Sequence, residues 1–138
     1  MGADGRSPTR GFPVFNVASA QLPPDPASVP AARELVHEVT SHLPRRAREA
    51  AELVASELAT NSVVHAGTPF EVFAAADDDA VEVVVADGTG WSPTAAQDGE
   101  GGHGLLLVGL LATDWAAQLE GGGKRVWARL AVEDVPAW

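Results

Sequence analysis

Glu57 and Asn61 lie four residues apart on the run Glu57-Leu58-Ala59-Thr60-Asn61-Ser62-Val63-Val64-His65-Ala66, which is rich in helix formers. Residues at that spacing share a helix face, so the carboxylate and the amide point the same way, with His65 one further turn along. Leu53, Val54, Leu58 and Val64 supply apolar contacts around this polar stripe. A carboxylate that can orient a hydroxyl, one turn from an amide oxygen that can ligate a hard cation, suits magnesium-dependent phosphate chemistry. Taken alone, the pair describes many solvated helices.

Three later segments give it a setting. The apolar run 81–86 reads as a strand and leads directly into Asp87-Gly88-Thr89-Gly90. Gly101-Gly102-His103-Gly104-Leu105-Leu106-Leu107-Val108 is a glycine cluster opening an apolar helix, expected from Gly104 to about Leu111. Gly121-Gly122-Gly123 then turns the chain between two closing strands near 115–119 and 124–130. Upstream, residues 12–17 read as a first strand, with Pro13 placing it at a sheet edge. A Pro-rich connector spans 21–30, and Ser28 is a candidate cap for a helix reaching about Leu43. Its apolar positions Ala32, Leu35, Val36, Val39 and Leu43 recur at helical spacing. Pro44 separates it from a second helix over 45–65, ended by Gly67. Segments 70–75 and 81–86 form a hairpin around the turn Asp77-Asp78-Asp79. The pattern predicts an α+β two-layer sandwich, three helices on one face of a mixed β-sheet. Residues 11–138 make a single domain behind a polar tail, 1–10, expected to be disordered.

In this order the motifs resemble those of the Bergerat-fold (GHKL-type) ATP-binding domains, the superfamily of the gyrase, histidine-kinase and MutL ATPase domains. Within it the chain is most similar to the small stand-alone anti-sigma-factor serine kinases, over about residues 33–130. The resemblance implies a histidine-kinase-like ATPase fold with ATP and Mg2+ as cofactors. It makes Glu57 the catalytic carboxylate, accepting the proton of the attacking hydroxyl, and Asn61 the magnesium ligand. Asp87 would accept a hydrogen bond from the exocyclic amine of adenine, since a carboxylate is acceptor-only. Gly88 and Gly90 follow at one and three positions, where the superfamily pattern has glycine at two and four. Gly102-His103-Gly104-Leu105 matches the Gly-x-Gly-Leu box, where backbone N–H groups at a helix start face the phosphates. The x position, typically basic in the small kinases, is His103, and the lid at 92–101 has neither Arg nor Lys. In the last strand Lys124, Val126 and Trp127 fit the family pattern, while Arg125 takes the place of a threonine. His65 matches a position commonly His and reads as structural, as Trp115 and Trp127 read as core aromatics.

Composition narrows the classes. The 138 residues contain no cysteine, which excludes disulfides, thiolate metal sites and thiol nucleophiles. A formal charge of −10 argues against nucleic acid as a partner. With no membrane-span-length apolar run and no signal-peptide core, a cytoplasmic location is expected. No Lys or Arg occurs between Arg48 and Lys124, so a triphosphate would be held by backbone N–H groups, a helix N-terminus and magnesium.

Three functions remain open on these residues. The resemblance implies a serine/threonine kinase in transcription regulation, phosphorylating an anti-sigma antagonist and sequestering a sigma factor when free of it. The alternatives are a nucleotide-binding partner switch without kinase activity, or an interaction domain that has lost nucleotide binding. Whether the chain forms a homodimer is not specified by its sequence. In either nucleotide reading, Asp87→Ala is expected to abolish ATP binding with the fold intact. If His103 stands in for the basic residue, ATP affinity corrected for nucleotide protonation rises from about pH 8 to about pH 6, across the ordinary imidazole range. His103→Arg should bind at least as well at about pH 8 and lose that dependence, as titration calorimetry would show. A flat wild-type profile would remove His103 from the phosphate site.

Overall fold

Five short segments rich in Val, Ala and aromatic residues build one sheet, and the computed structural model describes the chain through residues 16–88 and 102–136. The strands are β1 (Asn16–Leu22), β2 (Phe70–Ala76), β3 (Ala80–Asp87), β4 (Asp114–Glu120) and β5 (Gly123–Ala131), in the spatial order β1-β2-β3-β5-β4. Among the described residues three α-helices cover one face: α1 (Ser28–Val39), α2 (Arg45–Asn61) and α3 (Gly102–Leu111). The architecture is the α+β sandwich expected. The mixed sheet is not: every neighbouring pair is antiparallel. The crossover through α3 does return β4 parallel to β3, but β5 inserts between them and runs against both.

The core lies between sheet and helices. Val81, Val83 and Val85 of β3, with Val126, Ala128 and Leu130 of β5, face the helices from successive alternate positions. Opposite them, α2 buries Ala47, Ala50, Ala51, Ala55 and Ala59 around Val54 and Leu58. Small residues on this stripe let the helix axis approach the sheet closely, so the position of the polar end of α2 is tightly fixed.

Several boundaries differ from the sequence reading for local reasons. β1 occupies 16–22 rather than 12–17, taking in the start of the expected connector; residues 12–15 and the expected tail at 1–10 lie outside the described residues. Ser28 is not the cap of α1 but sits in its first turn, donating its hydroxyl to the Pro23 carbonyl at 2.7 Å. Asp25 supplies the turn instead, its Oδ1 accepting the N–H of Ala27 at 2.8 Å. α1 stops at Val39, where the Thr40 hydroxyl competes for the Val36 carbonyl at 2.8 Å. α2 ends at Asn61 and passes into a π-helical turn, Ser62–Ala66, closed by Gly67 at φ 66°. α3 begins at Gly102, two residues before the expected start.

The Asp77-Asp78-Asp79 turn joins β2 to β3 as expected, with Asp77 Oδ1 accepting the N–H groups of Asp79 and Ala80 at 2.8 and 2.9 Å. Gly121 and Gly122 turn β4 into β5 at φ 61° and 83°, a region other residues adopt with strain. Trp115 packs against the core, whereas Trp127 alternates onto the sheet face away from the helices, opposite Val84. Leu58 is 2% exposed and anchors α2 beside Glu57. Leu58→Ala should therefore lower stability by about 2–5 kcal/mol. Urea unfolding would register this as a fall in midpoint at unchanged slope.

Candidate functional site

The C-terminal end of β3 meets the C-terminal end of α2 through one buried polar group. Asp87, expected just beyond its strand, is the last residue of β3, paired in register with Lys124 of β5. The Lys124 ammonium stands 3.1 Å from Asp87 Oδ2, with the two side chains 2% and 0% exposed. From the π-helical turn, the Ser62 hydroxyl donates to the same Oδ2 at 2.9 Å. Beyond the strand, the Gly88 N–H donates to Thr68 Oγ1 at 3.1 Å, tying the start of the next loop to the segment before β2.

The electrostatics follow from enclosure. Burial pushes the Lys124 ammonium below the usual lysine range, against the pull of the neighbouring Asp87 carboxylate. Neither charge is tolerable there alone, and removing one partner of a buried pair typically costs about 3–5 kcal/mol. Asp87→Ala would then strand Lys124 rather than leave the fold intact, contrary to the sequence expectation. Asp87→Asn is the milder probe.

Glu57 and Asn61 both lie on α2, one turn apart as predicted. Asn61 is buried at the helix end, and Glu57 is half-buried. Glu57 lines an open groove of about 560 Å³ between α1 and α2, shared with Val29, Arg33, Glu52, Ser56 and Thr60. Arg33 donates to Ser56 Oγ at 3.1 Å, so α1 brings a guanidinium to the groove that Glu57 lines. His65 falls in the π-helical turn, off the α-helical register that would have set it one turn beyond Asn61. Gly102, His103, Gly104 and Leu105 form the first turn of α3, which packs against α2. Gly90 and the lid at 92–101 lie outside the described residues.

This donor set suits a magnesium nucleotide. Among the described residues no cluster of three or more His, Asp or Glu is placed to hold a metal. Magnesium usually takes few protein ligands, completing its shell with water and phosphate, so a single buried amide oxygen at Asn61 fits that habit. The glycine-led start of α3 offers backbone donors to an anion.

Ser62 and Lys124 were not legible as site residues. The available signal was Lys124 itself: on β5, residues 124, 126, 128 and 130 alternate to the core, which makes it a charge at a core position. Arg125, read as the substitute for the family threonine, alternates to the opposite face and lines a shallow groove with Phe73 and Val84. Ser62→Ala should cost about 1–3 kcal/mol by withdrawing a buried donor from Asp87. Thr60→Ala, whose exposed hydroxyl bonds only the preceding turn at 2.7 Å, should stay within about 0.5 kcal/mol by chemical denaturation. Equal effects would dismiss the Ser62–Asp87 bond as a stabilising contact.

Comparison with known proteins agrees with this fold. A family model described as the histidine kinase-like ATPase domain matches residues 22–130, most of the chain. No curated protein matches it. Among the described residues no helix is long and apolar enough to cross a membrane. The match supports an ATP-binding regulatory role, typically with magnesium. By that match and by its fold, the chain belongs to the histidine kinase-like ATPase domain family.

Proposed function

We propose that this protein is an ATP-dependent serine/threonine kinase of the anti-sigma type, which phosphorylates an antagonist protein and otherwise sequesters a sigma factor. The observation that carries this reading is the placement of Glu57: half-buried, one turn before the buried Asn61, and lining a groove open to an incoming chain. A serine hydroxyl entering that groove meets a carboxylate able to take its proton. Arg33, across the groove, offers a positive group to acceptor or phosphate. Asn61 would hold magnesium through its amide oxygen, and Asp87 would accept from adenine. Bound ATP with magnesium supplies the phosphoryl group. The chain's own part is to orient the acceptor hydroxyl and receive its proton on the Glu57 carboxylate.

One observation favours a second reading, a nucleotide-dependent partner switch without phosphotransfer. The stretch from 49 to 123 has no Lys or Arg, and Lys124 is committed to Asp87 inside the core. The segments that carry Asn61, Asp87 and the glycine box then bring no cationic side chain of their own to the transferring phosphate.

Calorimetry with Mg-ATP, and GTP as control, separates nucleotide binding from its loss. At a concentration about a hundredfold above Kd, ATP should stabilise the fold by about 2.7 kcal/mol, read as a raised Tm. An unchanged Tm in millimolar ATP rejects both nucleotide readings. Glu57→Ala should then abolish label transfer to the antagonist while keeping ATP affinity, and Asn61→Ala should weaken only the magnesium-dependent part. Transfer persisting in Glu57→Ala would unseat the catalytic assignment. ATP binding without transfer in the wild type would select the switch.

A further inference from the structure

A lysine enclosed among core residues of a central strand is costly, and the fold retains it at the one position that reaches Asp87. Lys124 pairs in register with Asp87 across β3 and β5, and its side chain is 2% exposed. Its alternate neighbours on the same face, Val126, Ala128 and Leu130, are buried and apolar. A cation and a donor, the Lys124 ammonium at 3.1 Å and the Ser62 hydroxyl at 2.9 Å, converge on the single oxygen Oδ2. They come from different elements, β5 and the π-helical turn, so together they fix both the position and the plane of the carboxylate.

Two described neighbours at this end of the sheet do not duplicate the pair. The β2 residue in register with Asp87 is Phe70, which is apolar, and Arg125 alternates to the opposite face of the sheet. Lys124 is the cation that meets Asp87 among the described contacts.

We propose that Lys124, acting with Ser62, is a positioning residue for base recognition: it holds Asp87 as an ionised, oriented, acceptor-only group for the exocyclic amine of adenine. The proposal rests on the reading that Asp87 meets the base. A buried carboxylate without a cation neutralises, and a neutral carboxylic acid both donates and accepts. Such a group no longer distinguishes an amine from a carbonyl at the same place on a purine. Lys124 thus acts on specificity through Asp87, without touching the nucleotide.

The probe is a pair of nucleotides, Mg-ATP and the triphosphate of purine riboside, which differs only by lacking the exocyclic amine. Titration calorimetry on the wild type should show ATP binding about tenfold tighter, the size of one good hydrogen bond to a charged group. In Lys124→Gln, which keeps a donor but loses the charge, the ratio should fall to about twofold or less, with purine riboside triphosphate bound nearly as in the wild type. Lys124→Arg should restore most of the preference.

A merely structural lysine would weaken both nucleotides together and leave the ratio unchanged, which overturns the proposal. Tighter ATP binding in Lys124→Gln also overturns it, because the lysine would then be competing with the base. A wild type that does not discriminate between the two sinks the Asp87 reading itself, and so is distinct from failure in the variant alone. Should Lys124→Gln not fold, Ser62→Ala keeps the ion pair and tests orientation, with a fall in ratio of about threefold expected. An unchanged ratio in folded Ser62→Ala counts against the proposal equally.

Discussion

The ion pair between Lys124 and Asp87 ties β5 to β3 inside the core, and Ser62 brings the π-helical turn to the same carboxylate. β3 and β5 are the central strands, and the π-helical turn reaches them through Ser62. Enclosing two charges this completely costs several kcal/mol per ion in desolvation, offset only when geometry and partners are right. An apolar pair at the same register would pack without that penalty. What the ionic pair adds is uniqueness: a one-residue slip between β3 and β5 would set the two charges on opposite faces of the sheet. The end of α2 inherits that register, because Ser62 can reach Oδ2 only from one position.

Upstream of this point, the alanine stripe of α2 does the complementary work. Ala47, Ala50, Ala51, Ala55 and Ala59 bring the helix down onto the sheet, while Val54 and Leu58 fill what remains. The buried side of α2 is thus fixed over its whole length, leaving Glu57 half-exposed along its flank and Asn61 turned inward at its end. Two polar residues one turn apart therefore have different environments. That difference suits different tasks, one toward an incoming chain and one toward a cation.

Much of this was legible in the chain. The hairpin around Asp77-Asp78-Asp79, the two amphipathic helices and the glycine turn before β5 all have strong local signals, and each is present. The antiparallel sheet was not legible, because the insertion of β5 between β3 and β4 is decided by tertiary packing and leaves no local mark. The π-helical turn escaped for a related reason: apolar and polar residues at 62–66 continue the helical pattern of α2, and the Ser62–Asp87 contact that accompanies the turn is a tertiary one. Trp127 reads as a core aromatic by residue type, but period-two counting from Lys124 puts it on the other face. The same counting applied to Lys124 would have exposed a charge facing the core.

Lys124 and Asp87 cancel and are withdrawn from water, so neither offsets the net charge of −10 that the chain presents to its surroundings. A nucleotide triphosphate approaching the chain is repelled at long range, whatever short-range contacts await it. Most phosphate-binding sites attract their ligand from a distance and slow down as salt screens the attraction. Here the sign is reversed. Added salt should speed encounter with the nucleotide, and any basic partner protein that lowers the surface potential would accelerate loading without touching the pocket.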